Sequence, residues 1–234
     1  MWRRNRDIVP VKSAWVRMQW KYKGDEMIWE EGELFQQRTF SKEELSDRGY
    51  VFDIVKQKPG PFLDMRRIRC GAGWTVYYRQ EGMCTLIDRL QRGRKRGELD
   101  ITLYLTLMYH SLLTLEEADE NMIMTGSFQI SLETLFCDEK NTKIKIMYVP
   151  LAEEAEHVKS RLWSRTSSAD ILLMLLEETQ KLDQGFCFRW PMLGETYLHW
   201  KKINAGRNRC IRELRLWLRE FPEHEITTGT DHKR

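Results

Sequence analysis

Apolar and polar residues alternate clearly along the stretch from Ala14 to Lys23. The apolar positions are Ala14, Val16, Met18, Trp20 and Tyr22, and most of the positions between them are Arg, Lys or Gln. A period of two places the apolar set on one face of a β-strand. Gly24-Asp25 then supplies a turn, and a returning strand is predicted to begin at Met27 to Trp29.

Two further strands are predicted before residue 84. The segments 50–55 and 74–79 are rich in β-branched and aromatic residues, which suit the half-buried surface of a sheet. Pro59-Gly60-Pro61 lies between them and predicts a break in regular structure. The first third of the chain is therefore predicted to be rich in strands.

After residue 84 the spacing of apolar residues becomes helical. One apolar stripe, with steps of four and three, consists of Ile101, Leu105, Met108, Leu112 and Leu115. Two more leucines widen this stripe, so the pattern predicts a long and largely buried helix over 99–118.

Other helices are predicted over 85–92, 171–182, 196–205 and 208–220. Ser167 and Asp170 are the expected N-cap pair ahead of the second of these. A basic loop between Gly93 and Gly97 is expected to follow the first. The segment 128–149 predicts a β-hairpin, because two short apolar runs flank the polar turn 138–141.

The predicted strands lie in the first part of the chain and most of the predicted helices follow them, which is the order of an α+β protein. We predict an antiparallel β-rich lobe over 13–84 and a mainly helical lobe over 85–222, with the hairpin 128–149 inserted in the helical lobe. A flexible lead-in is expected at 1–12 and a disordered tail at 223–234.

Composition narrows the class of protein. The chain has 234 residues, of which 41% are hydrophobic and 31% charged, and its net charge is only +3, so the chain as a whole is not an electrostatic binder of nucleic acid. Five scattered cysteines without a CxxC pair indicate reduced thiols, and the histidines show no zinc-ligand spacing. The sequence contains no apolar run long enough to span a membrane, and a cytoplasmic location is expected. The protein is also expected to bind no cofactor.

The order of elements resembles that of protein-kinase-like folds with two lobes. The hairpin can be aligned with the kinase pattern HRDxKPEN…KIxDFG. Residues 132–136 then occupy the PEN-plus-apolar segment, residues 138–141 the hairpin turn, and residues 143–147 the KIxDF segment.

The chemistry that this resemblance implies is degraded. The position of the catalytic base is Gln129, that of the metal-binding Asn is Thr134, and that of the metal-binding Asp is Ile146. Phosphoryl transfer depends on positioning and on metal-assisted charge stabilisation. The glycine-rich loop is incomplete, because position 76 is Val, and no VAIK-type lysine is visible. The resemblance therefore implies a protein that is not an enzyme.

The chain resembles degenerate kinase-like cytoplasmic domains of Gram-positive bacteria more closely than it resembles active kinases. These include the domain of unknown function that precedes forkhead-associated (FHA) domains and the pseudokinase-like domain of the type VII secretion membrane component. The shared features are an N-terminal strand pair and a strand–turn–strand segment that ends in Tyr148-x-Pro150. The resemblance implies a non-catalytic protein-interaction or scaffolding domain in signalling or secretion.

Two groups of residues are candidates for partner contact. The first group is basic and consists of Arg89, Arg92, Arg94, Lys95 and Arg96. These residues could contact phosphate, either on a nucleic acid or on a phosphorylated partner, or they could form a solvated helix end. Trp190 and Trp200 could line a peptide groove or pack in the core. The alternative function is therefore a phosphate- or nucleic-acid-binding protein that uses the 89–96 segment.

Overall fold

A computed structural model describes residues 13–23, 26–40, 60–70, 73–80, 82–97, 99–120, 130–148 and 167–221. The predictions for 1–12, 50–55 and 223–234 lie outside these ranges, as does Gln129. Within them the chain is a mixed α+β protein.

The first part of the chain forms a four-stranded antiparallel sheet with the order β1-β2-β4-β3. Its strands are β1 (Ser13–Lys23), β2 (Glu26–Phe40), β3 (Met65–Cys70) and β4 (Gly73–Arg79). The predicted strands near residues 14, 27 and 74 are confirmed, and β2 extends well beyond Trp29. The strand β3 was not predicted, because three arginines interrupt its apolar pattern.

The described residues of the second part form a three-stranded antiparallel sheet and six helices. The strands pair in the order β5-β6-β7 and are β5 (Cys84–Thr85), β6 (Leu135–Cys137) and β7 (Ile144–Ile146). The helices are α1 (Leu86–Arg96), α2 (Ile101–Glu120), α3 (Ser168–Leu182), α4 (Phe186–Arg189), α5 (Pro191–Lys202) and α6 (Arg207–Glu220).

The helix α2 lies at the centre of the core. All five residues of its predicted stripe are buried, so the predicted helix over 99–118 is confirmed. It begins where the carboxylate of Asp100 accepts a hydrogen bond from the Leu103 N–H at 2.8 Å. It packs against α6 and β7, while α3 packs against α5.

The first helical segment is longer than predicted. Residues 93–96 were expected to belong to a loop, but α1 continues through them and ends at Arg96. Arg and Lys are good helix formers, and Gly93 lies buried inside the helix. Only Gly97 adopts the left-handed conformation, with φ +73°, that ends the helix.

A short stretch before β3 joins the two sheets. The Ile146 N–H donates to the Pro61 carbonyl at 2.8 Å, and the Leu63 N–H donates to the Ile146 carbonyl at 3.0 Å. Phe62 and Ile146 are thereby bridged in parallel. The hydroxyl of Tyr78 on β4 donates to the Tyr148 carbonyl at 2.6 Å, which adds a buried contact between the two parts.

Candidate anion-binding cleft

The helix α1 has one apolar face and one basic face. Leu86, Leu90 and Gly93 are buried, while three arginines follow at steps of three and four residues, at positions 89, 92 and 96. This spacing places the three guanidinium groups on the same side of the helix. The helix is fixed at its start by Thr85, whose hydroxyl accepts a hydrogen bond from the Asp88 N–H at 3.1 Å.

The hairpin lies beside the basic face of α1. Cys84 on β5 is paired with Cys137 on β6. Arg89 reaches the hairpin turn, where its Nε donates to Oδ1 of Asn141 at 2.7 Å. The turn itself is held by Asp138, whose Oδ1 accepts from the Thr142 N–H at 2.8 Å. These contacts bring the turn and the helix together around one depression of the surface.

This depression is a cleft of about 510 Å³, which we call the arginine cleft. It is lined by Gln80, Gly82, Met83, Cys84, Arg89, Arg92, Arg96 and Glu139. The lining thus contains three guanidinium groups and one carboxylate, and none of these eight residues is aromatic. Guanidinium groups bind carboxylates and phosphates through charge-assisted, often bidentate hydrogen bonds, so the arginine cleft suits a compact anion.

The structure divides the predicted basic group. Arg89, Arg92 and Arg96 line the cleft, whereas Arg94 and Lys95 do not. A guanidinium N–H of Arg94 donates to the carbonyl of Leu182, close to the end of α3, and therefore holds two helices together. Lys95 is exposed on the same helix and lies outside the cleft lining.

Cys84 is the one half-buried thiol in the cleft lining. Its Sγ lies 3.9 Å from the Sγ of Cys137. A hydrogen bond from Cys137, together with the charges of Arg92 and Arg89, lowers the pKa of Cys84 from 9.0 to about 7 against the opposing effects of burial and of Asp88. The same contact and burial raise the pKa of Cys137 strongly, so Cys84 is the thiol of the pair that ionises more readily.

The two aligned kinase positions that the structure describes are fully buried. The Oγ1 of Thr134 accepts a hydrogen bond from the Ser131 N–H at 2.9 Å. Ile146 lies in β7, is paired with Leu135, and has an apolar side chain in the core. Neither side chain carries a carboxylate or an amide that could bind magnesium.

The two tryptophans proposed to line a groove occupy different surroundings. Trp200 is only 3% exposed and stacks on Trp217 with ring centroids 5.9 Å apart. Trp200 therefore lies in the core. Trp190 is half-buried and contacts the edge of Phe221 at 6.1 Å. The groove is therefore not formed by Trp200.

No group of three or more His, Cys, Asp or Glu side chains that could hold a metal ion occurs in the described part of the chain. Among the helices described, none is both long and apolar enough to span a membrane.

The sequence pattern did not identify Gln80, Gly82, Met83, Cys84 or Glu139 as part of a site. A thiol directly before the N-cap Thr85 is a weak local signal, since a helix N-terminus favours a thiolate. The pairing of Cys84 with Cys137 joins residues 53 positions apart in the sequence. Such a contact becomes visible only when the strand register is known.

Comparisons with protein-family models and with curated proteins find no match. Among solved structures, the chain is similar to the Cydia pomonella granulovirus kinase PK-1, with a TM-score of 0.36 and 12% sequence identity. The similar region covers 58% of this chain and 50% of the viral chain, so the chain matches half the length of that kinase.

Proposed function

We propose that this chain is a non-catalytic protein-interaction domain that recognises a phosphorylated protein partner through the arginine cleft. The observation that carries the proposal is the convergence of Arg89, Arg92 and Arg96 on one cleft of about 510 Å³. Guanidinium groups in this arrangement match the oxygens of a phosphoryl group. A cytoplasmic, pseudokinase-like role in bacterial signalling or secretion is the setting that we expect.

The non-catalytic part of the proposal rests on the hairpin. The resemblance to kinases assigns the metal-binding positions to Thr134 and Ile146, and both side chains are fully buried. An apolar side chain at the second position cannot replace the carboxylate that holds magnesium. These residues support a protein that binds its partner without transferring a phosphoryl group.

The lining of the cleft favours one phosphoryl group over a nucleic acid. Glu139 would repel a continuous line of phosphates, and the eight lining residues provide no aromatic ring on which a base could stack. The cleft is also bounded on one side by the hairpin turn, which Arg89 holds through Asn141. A localised dianion on a protein fits these limits better than an extended polyanion.

The proposal is tested with two fluorescent probes, the peptide Ala-Gly-phosphothreonine-Gly-Ala and a ten-nucleotide oligothymidine. We expect saturable binding of the phosphopeptide and not of its unphosphorylated form, measured by anisotropy. Arg92→Gln combined with Arg96→Gln should weaken this binding about a hundredfold or more, since each of the two lost charge-assisted hydrogen bonds costs about 1.5–3 kcal/mol.

The matched comparison is Arg92→Gln against Lys95→Gln, because each removes one positive charge from the same helix; Lys95 lies outside the cleft lining, so its variant should leave binding unchanged. Equal losses for the two kinds of variant would show that net charge, not the cleft, attracts the probe. Tight binding of the oligonucleotide with a steep dependence on salt would instead favour a nucleic-acid partner.

A further inference from the structure

The arginine cleft contains a nucleophile that the proposed partner binding does not use. Cys84 lies half-buried in the cleft lining, beside the three arginines, and its sulfur is 3.9 Å from that of Cys137. A thiol in contact with a donor and near cations is more readily ionised, and the thiolate is the reactive form. A reactive sulfur and a site for an anion therefore share one cleft.

We propose that Cys84 is a thiol-modification site that is selective for small disulfides carrying a negative charge. In this site the arginines hold the anionic group of the reagent, while the Cys137 S–H donates a hydrogen bond to the Cys84 thiolate. The inference concerns thiol chemistry and does not depend on phosphate recognition, so the two proposals fail or succeed separately.

The reaction is a thiol–disulfide exchange. The Cys84 thiolate attacks one sulfur of the reagent, a bond forms between the two sulfurs, and the S–S bond of the reagent breaks. The leaving sulfur takes the electron pair of that bond as a thiolate, so the reagent is reduced and Cys84 becomes half of a mixed disulfide. Cys137 remains a thiol, because burial and its contact with Cys84 raise its pKa.

The charged groups around Cys84 set the pH at which it reacts. On α1, Arg92 and Arg89 favour the thiolate and Asp88 opposes it. Two more charged residues line the cleft: Arg96 on the same helix and Glu139 in the hairpin turn. The pKa of about 7 predicts that reactivity rises with pH through neutrality, well below the pH at which an ordinary thiol ionises.

The other cysteines whose surroundings the structure describes are less suited to this reaction. Burial and the charge of Asp183 raise the pKa of the Cys187 thiol. Burial raises the pKa of Cys210 to about 11. Among the described thiols, Cys84 alone combines a lowered pKa with access from a charged cleft.

The test compares two chromogenic disulfides, the dianionic dithiobis(nitrobenzoate) and the neutral 4,4′-dithiodipyridine, on the native full chain at pH 7. We expect one fast-reacting thiol per chain and a preference for the dianion. Arg92→Gln with Arg96→Gln should reduce the ratio of the dianion rate to the neutral-reagent rate by about three- to tenfold. The neutral reagent should slow only as far as the loss of the Arg92 charge raises the pKa of Cys84. Arg96→Gln alone and Lys95→Gln each remove one charge from the same helix; the first should slow the dianion, and the second, outside the cleft lining, should change neither rate.

Peptide mapping locates the modified sulfur without any variant. Trypsin releases Cys84 in the peptide 80–89, Cys70 in 70–79, Cys137 in 97–140 and Cys187 in 182–189. We expect the first label on 80–89. A first label on another peptide, or a cross-link between 80–89 and 97–140 as the main product, would overturn the proposal.

Cys137→Ala separates the role of the hydrogen bond from that of the cations. It should move the midpoint of the rate–pH profile upward from about 7 while the preference for the dianion stays. Cys187→Ser should leave the fast phase intact. An unchanged midpoint in Cys137→Ala would show that this thiol does not position the proton as proposed.

Discussion

At the scale of single residues, Asp138 organises the hairpin turn. Its carboxylate accepts hydrogen bonds from the N–H of Thr142 at 2.8 Å and of Lys143 at 3.0 Å. Asn141, three residues later in the same turn, has φ +59°, a left-handed conformation that Asn tolerates better than most residues. The turn then presents Asn141 to Arg89, so one carboxylate shapes one wall of the arginine cleft.

Asp138→Ala should destabilise the fold by about 1–2 kcal/mol, because two backbone donors lose their partner. Burial raises the pKa of Asp138, but the hydrogen bonds from Lys143 and Thr142 outweigh it and lower the pKa below 3.8. The stabilisation is therefore present above pH 3.8 and is lost as the pH falls through the lower folded-state value.

The measurement is denaturant unfolding of the wild type and the variant from pH 7 down to pH 3. The difference between them should shrink at the acidic end of this range. Glu139→Ala, at an exposed position of the same turn, is the control and should change stability little. A difference that does not vary with pH would show that the carboxylate charge is not involved.

At the scale of elements, α1 and α3 begin in the same way. Thr85 and Ser167 each accept a hydrogen bond at 3.1 Å from the N–H three residues later. Each hydroxyl also donates to the aspartate at that position, at 2.7 Å. The predicted cap at Ser167 is confirmed, whereas the start at Thr85 was predicted as part of the helix itself.

Thr85→Ala and Ser167→Ala should each lower the free energy of unfolding by about 1 kcal/mol, because the first turn of a helix loses the acceptor for one N–H. Denaturant unfolding monitored by circular dichroism gives the values. Thr85→Ser and Ser167→Thr keep a hydroxyl and should recover most of the loss. Equal losses in the conservative variants would assign the effect to packing and not to capping.

At the scale of the whole molecule, the hairpin is tied to the stretch before β3. Ile146 exchanges hydrogen bonds with Pro61 and Leu63, and its side chain is buried between the sheets and α2. The position aligned with the magnesium ligand of a kinase is thus part of the packing that joins the two parts of the chain. We expect this buried position to contribute to stability, and the non-catalytic proposal predicts that it does not bind a metal ion.

A thermal-shift titration with ATP, with and without magnesium, checks this inference on the intact chain. A ligand present at 100 times its dissociation constant stabilises a fold by about 2.7 kcal/mol, which corresponds to roughly 5–10 °C for a chain of this size. We expect no magnesium-dependent shift. Such a shift would mean that a metal–nucleotide site exists in spite of Thr134 and Ile146.

The sequence by itself determined the local elements of this protein. The period-two alternation near residue 14 gave β1, the stripe from Ile101 to Leu115 gave α2, and the polar turn 138–141 gave the hairpin. These features depend on spacing and propensity within one segment, which the sequence displays directly. The α+β order followed from the same information.

Only the tertiary structure decided how the segments meet. Cys84 contacts Cys137, 53 positions away in the sequence. Arg89 donates to Asn141 and Arg94 donates to Leu182, at separations of 52 and 88 positions. The basic residues 89–96 were visible in the sequence, but their division into three cleft residues and two others depends on which side of α1 faces the hairpin. The burial of Trp200 and its stacking on Trp217, a residue of α6, likewise depend on the tertiary structure. Long-range contacts of this kind depend on strand register and helix packing, which no local pattern encodes.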